Sequence, residues 1–168
     1  MRSVCLMAVV VAAAINTGCA LHGEPAVNAV PFVGEWMYHD STGSVPPYDL
    51  VVRVEFVDGR LIFNSKWAGS QSAPQGLTLI GVVTPRIALD PSGRENGSQV
   101  GPFVFRHTSH WRNDELVTVW STSEYMGSSY SGTWKRAVSK DRAEMTLDID
   151  ALSSTGAVSR ARVVFHRH

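Results

Sequence analysis

Two basic side chains, His107 and Arg136, stand within segments in which apolar and polar residues alternate. A guanidinium offers five N–H donors in a planar fork that matches a carboxylate or a phosphate, and an imidazole can add a further hydrogen bond. If both side chains faced the interior of one fold, they would bind the acidic head of a small amphipathic molecule. The alternative is an arginine that bonds loop carbonyls or extends its charged head to the rim.

The histidines do not suggest a metal centre. His107 and His110 are three residues apart, so on a strand they point to opposite faces, and no cysteine accompanies them. His166 and His168 share a face, but they lie at the chain end, where a solvated tail is the simpler interpretation. We therefore predict no metal ligands and no cofactor.

Familiar catalytic motifs are missing from the sequence. It has no His-Glu-x-x-His, no Cys-x-x-Cys, no phosphate-cradling glycine loop and no Gly-x-Ser-x-Gly elbow. Asp148 and Asp150 share the polar face of one alternating segment, where solubility explains them. We therefore name no catalytic residue and favour a protein that is not an enzyme, although a site assembled from distant strands would leave no such signature.

Alternating runs bounded by Gly, Pro, Asn and Asp recur from Phe32 onward, whereas no window shows helical spacing. They predict an all-β antiparallel fold, either a barrel or a sandwich; the one we favour is a single up-and-down barrel of about eight or nine strands. The predicted strands are 32–38, 49–57, 60–67, 77–83, 103–111, 116–124, 132–138, 143–151 and 158–166. The Gly- and Pro-rich residues 68–102, around their one strand, and residues 124–132 are interpreted as rim loops.

Turn lengths predict which residues share a face, because they determine the strand register. Asp58-Gly59 is typical of a two-residue hairpin, and a three-residue loop that ends at Gly156 is another common connection. The predicted inward pairs are Phe56 with Leu61, Val54 with Phe63, Val52 with Ser65, Leu50 with Trp67, Met145 with Phe165, Leu147 with Val163 and Ile149 with Ala161.

Two further turns direct the basic side chains inward. An Asn113-Asp114 turn sets His107 opposite Trp120, and a four-residue loop, 139–142, sets Arg136 opposite Met145. An unpaired guanidinium inside a barrel costs several kcal/mol, and the predicted inward positions supply no carboxylate. The candidate ligand-binding residues are Arg136 and His107 for an acidic head, with Trp36, Phe56, Phe63, Trp67, Trp120 and Met145 lining the interior.

The five tryptophans have a simpler interpretation as well. Small barrels are filled by their own side chains, so these indoles are expected to plug the core, with a carbohydrate-stacking surface as the alternative. The tryptophans are Trp36, Trp67, Trp111, Trp120 and Trp134.

The N-terminus has the layout of an export signal. Arg2 precedes an uncharged run, residues 4–15, which is shorter than the roughly 20 apolar residues that span a bilayer. Thr17-Gly18-Cys19 resembles the end of a bacterial lipoprotein signal, in which the cysteine is acylated, although Asn16 departs from that pattern. Acylation at Cys19 and ordinary cleavage after Ala20 or Ala29 both remain open.

Composition restricts the function classes. We predict a signal over residues 1–18, a linker over 19–31 and one barrel domain over 32–168. Removal of the signal takes away Arg2 and Cys5, which leaves 14 basic against 15 acidic side chains and no intrachain disulfide. This charge balance creates no field that would attract nucleic acid. Contact with a membrane is expected only through a lipid anchor at Cys19.

The sequence also resembles a known family. Gly34-Glu35-Trp36 resembles the Gly-x-Trp motif that opens lipocalins and other calycin-type barrels, and residues 103–168 look like the ending of small secreted bacterial lipocalin-like proteins of no established activity. The usual Asp-Gly of that ending appears here as Asp141-Arg142. The resemblance implies a closed barrel whose mouth admits a small apolar ligand. It also implies that an arginine, Arg160 or Arg162, packs over Trp36.

Three functions follow as hypotheses. The first is an exported, non-enzymatic barrel that binds or carries a small apolar or amphipathic ligand in the bacterial envelope, either periplasmic, anchored to the outer membrane, or secreted. The second is a filled barrel whose rim docks another envelope protein. The third is an enzyme with its site at the barrel mouth.

Overall fold

Ten antiparallel strands form one sheet in the computed structural model, which describes residues 24–39, 49–68, 86–100 and 102–168. A short helix α1, Glu24–Ala29, and a 3₁₀ turn, Val30–Phe32, precede them. The strands are β1 Gly34–His39, β2 Asp49–Val57, β3 Arg60–Ala68, β4 Arg86–Leu89, β5 Asn96–Val100, β6 Phe103–Arg112, β7 Glu115–Thr122, β8 Tyr130–Val138, β9 Glu144–Ser153 and β10 Val158–Arg167.

The sheet curls until its first strand meets its last. Its order is β4-β3-β2-β1-β10-β9-β8-β7-β6-β5, and the β1–β10 pairing places Trp36 opposite Arg167. Strands β4 and β5 stand at the two ends of this order, so the barrel is nearly closed. The all-β antiparallel fold is therefore confirmed.

The strand count differs from the prediction. The predicted strand 77–83 lies outside the described residues, whereas β4 and β5 occupy positions interpreted as loops. Both strands are short, and β5, Asn-Gly-Ser-Gln-Val, lacks apolar alternation, so pairing with β6 rather than local pattern defines it. The predicted rim loop 124–132 is also shorter, because β8 begins at Tyr130. Within the described part of the chain, no helix is long and apolar enough to cross a membrane.

Three of the predicted turns are confirmed. The Asp58-Gly59 hairpin sets Phe56 opposite Leu61 and Leu50 opposite Trp67, as predicted. The Asn113-Asp114 turn sets His107 opposite Trp120. Gly156 has a φ of 86°, the left-handed conformation that its loop requires, and Met145 faces Phe165.

The β8–β9 turn is longer than predicted. Arg136 lies opposite Leu147, and Val138 lies opposite Met145, so the register is shifted by two residues. The cause is a polar turn in which Asp141 accepts hydrogen bonds from the Ser139 hydroxyl and the Ala143 amide, at 2.6 and 3.1 Å. A two-residue shift keeps every side chain on its face, so the inward direction of Arg136 survives the error.

One end of the barrel, which we call the closed end, is capped by residues 30–33. Phe32 is buried there against Trp111, with ring centroids 5.6 Å apart, and its carbonyl accepts a 2.8 Å hydrogen bond from Trp36 Nε1. Ala29, at the end of the segment predicted as a linker, is buried as well. Ala29 and Phe32 are therefore part of the barrel's packing.

The arginine that packs over Trp36 is Arg167, not Arg160 or Arg162. Its guanidinium carbon lies 4.4 Å from the Trp36 ring centroid. Arg160 and Arg162 point outward instead and pair with Asp150 and Asp148. Their strand positions alternate with the buried residues of β10, so they cannot reach the interior.

Arg167 also explains the glycine of the Gly-x-Trp motif. Its guanidinium donates hydrogen bonds to the carbonyls of Pro31, Val33 and Arg142, at 2.9, 3.3 and 2.9 Å. Gly34 has a φ of 140°, and a Cβ built there would lie only 2.9 Å from Arg167 Nη1. Glycine is therefore required where the guanidinium crosses β1.

Candidate interior binding site

Arg136 is the most unusual residue of the interior. It lies near the closed end of β8 and is 5% exposed. Its guanidinium carbon lies 4.9 Å from the ring centroids of both Phe63, on β3, and Trp134, on its own strand. The buried Nη1 atom has no hydrogen-bond partner. The predicted inward position is confirmed, with aromatic faces as the neighbours of the charge.

No carboxylate in the described interior neutralises Arg136. Asp90 is the buried acid of the described residues, but it accepts its hydrogen bond from the Ser92 amide, at 2.9 Å. Burial alone would raise the pKa of Asp90, but the Ser92 hydrogen bonds, with Arg60 and Arg94 nearby, lower it overall. Burial lowers the pKa of Arg136 to about 9, so the guanidinium remains a cation at neutral pH.

His107, in the middle of β6, is buried in the same interior. It is 3% exposed, its ring centroid lies 5.4 Å from that of Phe105, and its Nδ1 has no hydrogen-bond partner. Burial, with the positive charge of Arg136 as the second cause, lowers the pKa of His107 to about 4. The imidazole is therefore neutral at pH 7.

An aromatic cluster of Phe105, Trp120 and Trp134 connects the two basic residues. Trp134 stacks on Phe105 at 5.1 Å and contacts Trp120 at 5.4 Å between ring centroids. The indole Nε1 atoms of both tryptophans are buried and have no hydrogen-bond partner. The interior thus holds several unpaired N–H groups around one cation.

A glycine makes room for this cluster. Gly132 lies opposite Trp120 in the β7–β8 pairing. A Cβ at position 132 would overlap the Asp150 carbonyl and would lie 2.9 Å from Trp120 Cζ2. The absence of a side chain lets the indole of Trp120 lie against the backbone of β8.

The structure brings some of the predicted site residues together and separates others. Trp120 belongs to the aromatic cluster, and Arg136 adjoins it and contacts Phe63. Met145 is buried on the same face of β9 as Leu147, two residues nearer the closed end of the barrel. Phe56, near the closed end of β2, is partly buried against the core. Trp36 belongs to the closed end, and the side chain of Trp67 lies outside the described residues.

Phe105 and Trp134 were not among the predicted ligand-binding residues, although both occupy the centre of the site. The signal was present in the sequence. Trp134 is two residues before Arg136, and Phe105 is two residues before His107, so each shares a strand face with a basic residue. Only the closed barrel shows that these two faces meet.

Two depressions mark the outer wall. One, of about 280 Å³, has His107 and Trp120 in its lining together with the hydroxyl residues of β6 to β8. The other, of about 650 Å³, is an open groove between the outer face of β3 and β4 and Ser98 of β5. Over the described ranges, no three His, Cys, Asp or Glu residues cluster in a way that could hold a metal ion.

Comparisons with known proteins define the class of fold. No protein-family model matches the chain, and no curated protein is similar to it in sequence. Among solved structures, it is similar to apo lipid binding protein 8 of Caenorhabditis elegans, with a TM-score of 0.55 over 83% of this chain and 96% of that one. The sequences are 8% identical, so the similarity concerns the fold alone. The chain is therefore an all-β, nearly closed antiparallel barrel, like that lipid binding protein.

Proposed function

We propose that this protein binds a small amphipathic anion inside its barrel, with the acidic head at Arg136. The observation that carries the proposal is the buried cation itself, whose Nη1 has no hydrogen-bond partner and which no described interior carboxylate neutralises. An unpaired buried charge costs several kcal/mol, and a carboxylate or phosphate ligand would offset that cost with charge-assisted hydrogen bonds.

The surroundings of Arg136 fit the apolar part of such a ligand. Leu147 lies opposite it, Phe63 faces it across the barrel, and Ile149 continues the apolar face of β9 away from the closed end. Apolar lining with a few polar groups is usual for small-molecule sites. The similarity to a lipid binding protein supports the same class of ligand.

We propose binding rather than catalysis. Ser109 and Thr118 are the buried hydroxyl residues of the described interior, and their oxygens are 3.0 Å from each other. Neither forms a hydrogen bond to His107 that would activate it as a nucleophile, and an activated nucleophile needs such a base. An enzymatic role would require groups other than these.

The decisive experiment is isothermal titration of the full chain with hexadecanoate. We expect saturable binding, and we expect Arg136→Met to weaken it by about a hundredfold because truncating one partner of a buried charge pair costs 2–5 kcal/mol. Arg160→Met is the matched control, since it removes the same charge from the outer wall, and it should leave the affinity unchanged.

Hexadecanol extends the test, because it has the same chain without the charge and should bind far more weakly than hexadecanoate. The proposal fails if hexadecanoate does not bind. It also fails if Arg136→Met binds as tightly as the native protein.

The place of action is a second part of the proposal. We propose that residues 1–18 direct export to the bacterial envelope, on the strength of Arg2 and the uncharged run over residues 4–15. Mass spectrometry of protein from its native host should show a chain that begins at Cys19 with attached acyl groups, or one cut after Ala20 or Ala29. A chain that still begins at Met1 would contradict export.

A further inference from the structure

A second set of unpaired polar atoms lies apart from Arg136. His107 Nδ1 and Trp120 Nε1 are both buried without a hydrogen-bond partner, in side chains that are 3% and 2% exposed. The two residues are direct partners across β6 and β7, so their side chains are neighbours on the inner face. They form one small polar pair within apolar and aromatic surroundings.

The backbone positions of this pair and of Arg136 stand at different levels along the barrel. The guanidinium carbon lies 4.9 Å from the Trp134 ring, and Trp134 in turn lies 5.4 Å from Trp120. Trp120 lies opposite Gly132 of β8. Gly132 is four residues from Arg136 on that strand, so the two backbone positions are roughly 13 Å apart. We therefore treat Arg136 and the His107–Trp120 pair as two separate anchoring points for one ligand.

The chemistry of the pair identifies what would satisfy it. An indole N–H only donates, whereas a neutral imidazole offers one donor and one acceptor nitrogen. A hydroxyl group both accepts and donates. Its oxygen can accept the Trp120 Nε1–H while its hydrogen goes to an unprotonated His107 Nδ1. A carbonyl oxygen can only accept, and a methylene group satisfies neither atom.

We therefore propose that the preferred ligand is a hydroxylated fatty acid, with its carboxylate at Arg136 and a mid-chain hydroxyl at His107 and Trp120. This inference rests on the proposed function, and it names the ligand class of that same site. A plain acyl chain would bury two unpaired polar atoms, and sites built to hydrogen-bond a substrate hydroxyl discriminate strongly against analogues that lack it.

The test compares hexadecanoate with three hydroxyhexadecanoates, whose hydroxyl stands near the carboxylate, in the middle of the chain or at its far end. Isothermal titration of the full chain should show that the mid-chain isomer binds at least about tenfold more tightly than hexadecanoate, since buried polar groups left unpaired are costly. The other two isomers should bind no better than hexadecanoate.

Variants of the pair provide the control. His107→Phe and Trp120→Phe should each remove most of the preference for the mid-chain hydroxyl, measured within each variant as the ratio of its affinities for the mid-chain isomer and for hexadecanoate. His107→Gln keeps a donor and an acceptor and should retain part of the preference. His110→Phe, an outward-facing position on the same strand, should retain all of it.

The outcomes separate the two proposals. If all four acids bind with similar affinity and Arg136→Met weakens them all, the hydroxyl site is refuted and the anion site stands. If none of the acids binds, the proposed function fails, and the hydroxyl site fails with it. If the mid-chain preference survives both phenylalanine variants, the assignment to His107 and Trp120 is wrong.

Discussion

Two arginines pack against tryptophans in this barrel, and their surroundings are opposite. At the closed end, Arg167 covers Trp36, donates to three backbone carbonyls and keeps contact with water. In the interior, Arg136 contacts Trp134 and Phe63, is almost fully buried, and leaves Nη1 without a partner.

The difference lies in whether the polar atoms of these residues find partners within the protein. The indole N–H of Trp36 is satisfied by the Phe32 carbonyl, whereas the indole N–H groups of Trp120 and Trp134 in the interior have no partner, nor has that of Trp111 beside Phe32. Buried polar groups in native structures are normally paired, so several unpaired ones around one charge call for an explanation. A ligand that supplies acceptors is the explanation that we propose.

The largest expected effect is a loss of stability in mild acid, which arises from the buried imidazole of His107. The pKa of His107 is about 4 in the folded protein against 6.5 ordinarily, so between these values the unfolded chain binds one more proton. Stability should therefore be full above pH 6.5 and fall by about 3 kcal/mol as the pH drops to 4. Urea unfolding at a series of pH values should show this slope, and His107→Phe should remove it.

His110→Phe is the matched control for the pH series and should keep the slope. An equal slope in native protein and His107→Phe would show that another group is responsible. Arg136→Met should end the slope at a higher pH and so reduce the total loss of stability, because the charge of Arg136 is the second cause of the low His107 pKa.

The second largest effect concerns Arg167 and Trp36 at the closed end. Arg167→Ala removes the stacking on Trp36 and three hydrogen bonds to carbonyls, and it should lower the free energy of unfolding by about 2 kcal/mol. Arg160→Ala breaks only an exposed ion pair with Asp150 and should cost about 0.5 kcal/mol or less. Chemical denaturation of both variants measures the difference, and equal costs would mean that the closed end does not depend on Arg167.

The smallest effect has the opposite sign. Arg136→Met replaces an unpaired buried cation by an apolar side chain of similar length, and it should raise the free energy of unfolding by about 1 kcal/mol in the absence of ligand. Denaturant midpoints of ligand-free protein measure this change. A loss of stability would indicate that the aromatic contacts of Arg136 compensate its charge, and the contrast with Arg167 would disappear.

Local pattern predicted much of this fold. Alternation marked eight of the ten described strands. The Asp58-Gly59 and Asn113-Asp114 turns predicted the β2–β3 and β6–β7 registers correctly. The β8–β9 register was wrong by two residues because side-chain hydrogen bonds of Asp141 and Ser139 enlarge the turn. Strand β5 was missed because its own residues do not alternate between apolar and polar. Only its pairing with β6 defines it as a strand.

Half of the site could be predicted in the same way. A side chain's face follows from strand period and turn length, so the inward directions of His107 and Arg136 were accessible from sequence. Which inward residues meet across the barrel was not accessible. Arg160 and Arg162 were proposed for Trp36 because the family resemblance implies an arginine from a late strand, whereas Arg167 is the residue that closure brings to it.

The amino-acid sequence by itself determined eight of the described strands and their buried faces, because alternation and turn chemistry act over a few neighbouring residues. The tertiary structure alone decided that Phe63 would lie against Arg136, that Arg167 would seal Trp36, and that no described interior carboxylate would neutralise the buried guanidinium. Those contacts join residues that are far apart in sequence, and they exist only once the sheet has curled and its first strand has paired with its last.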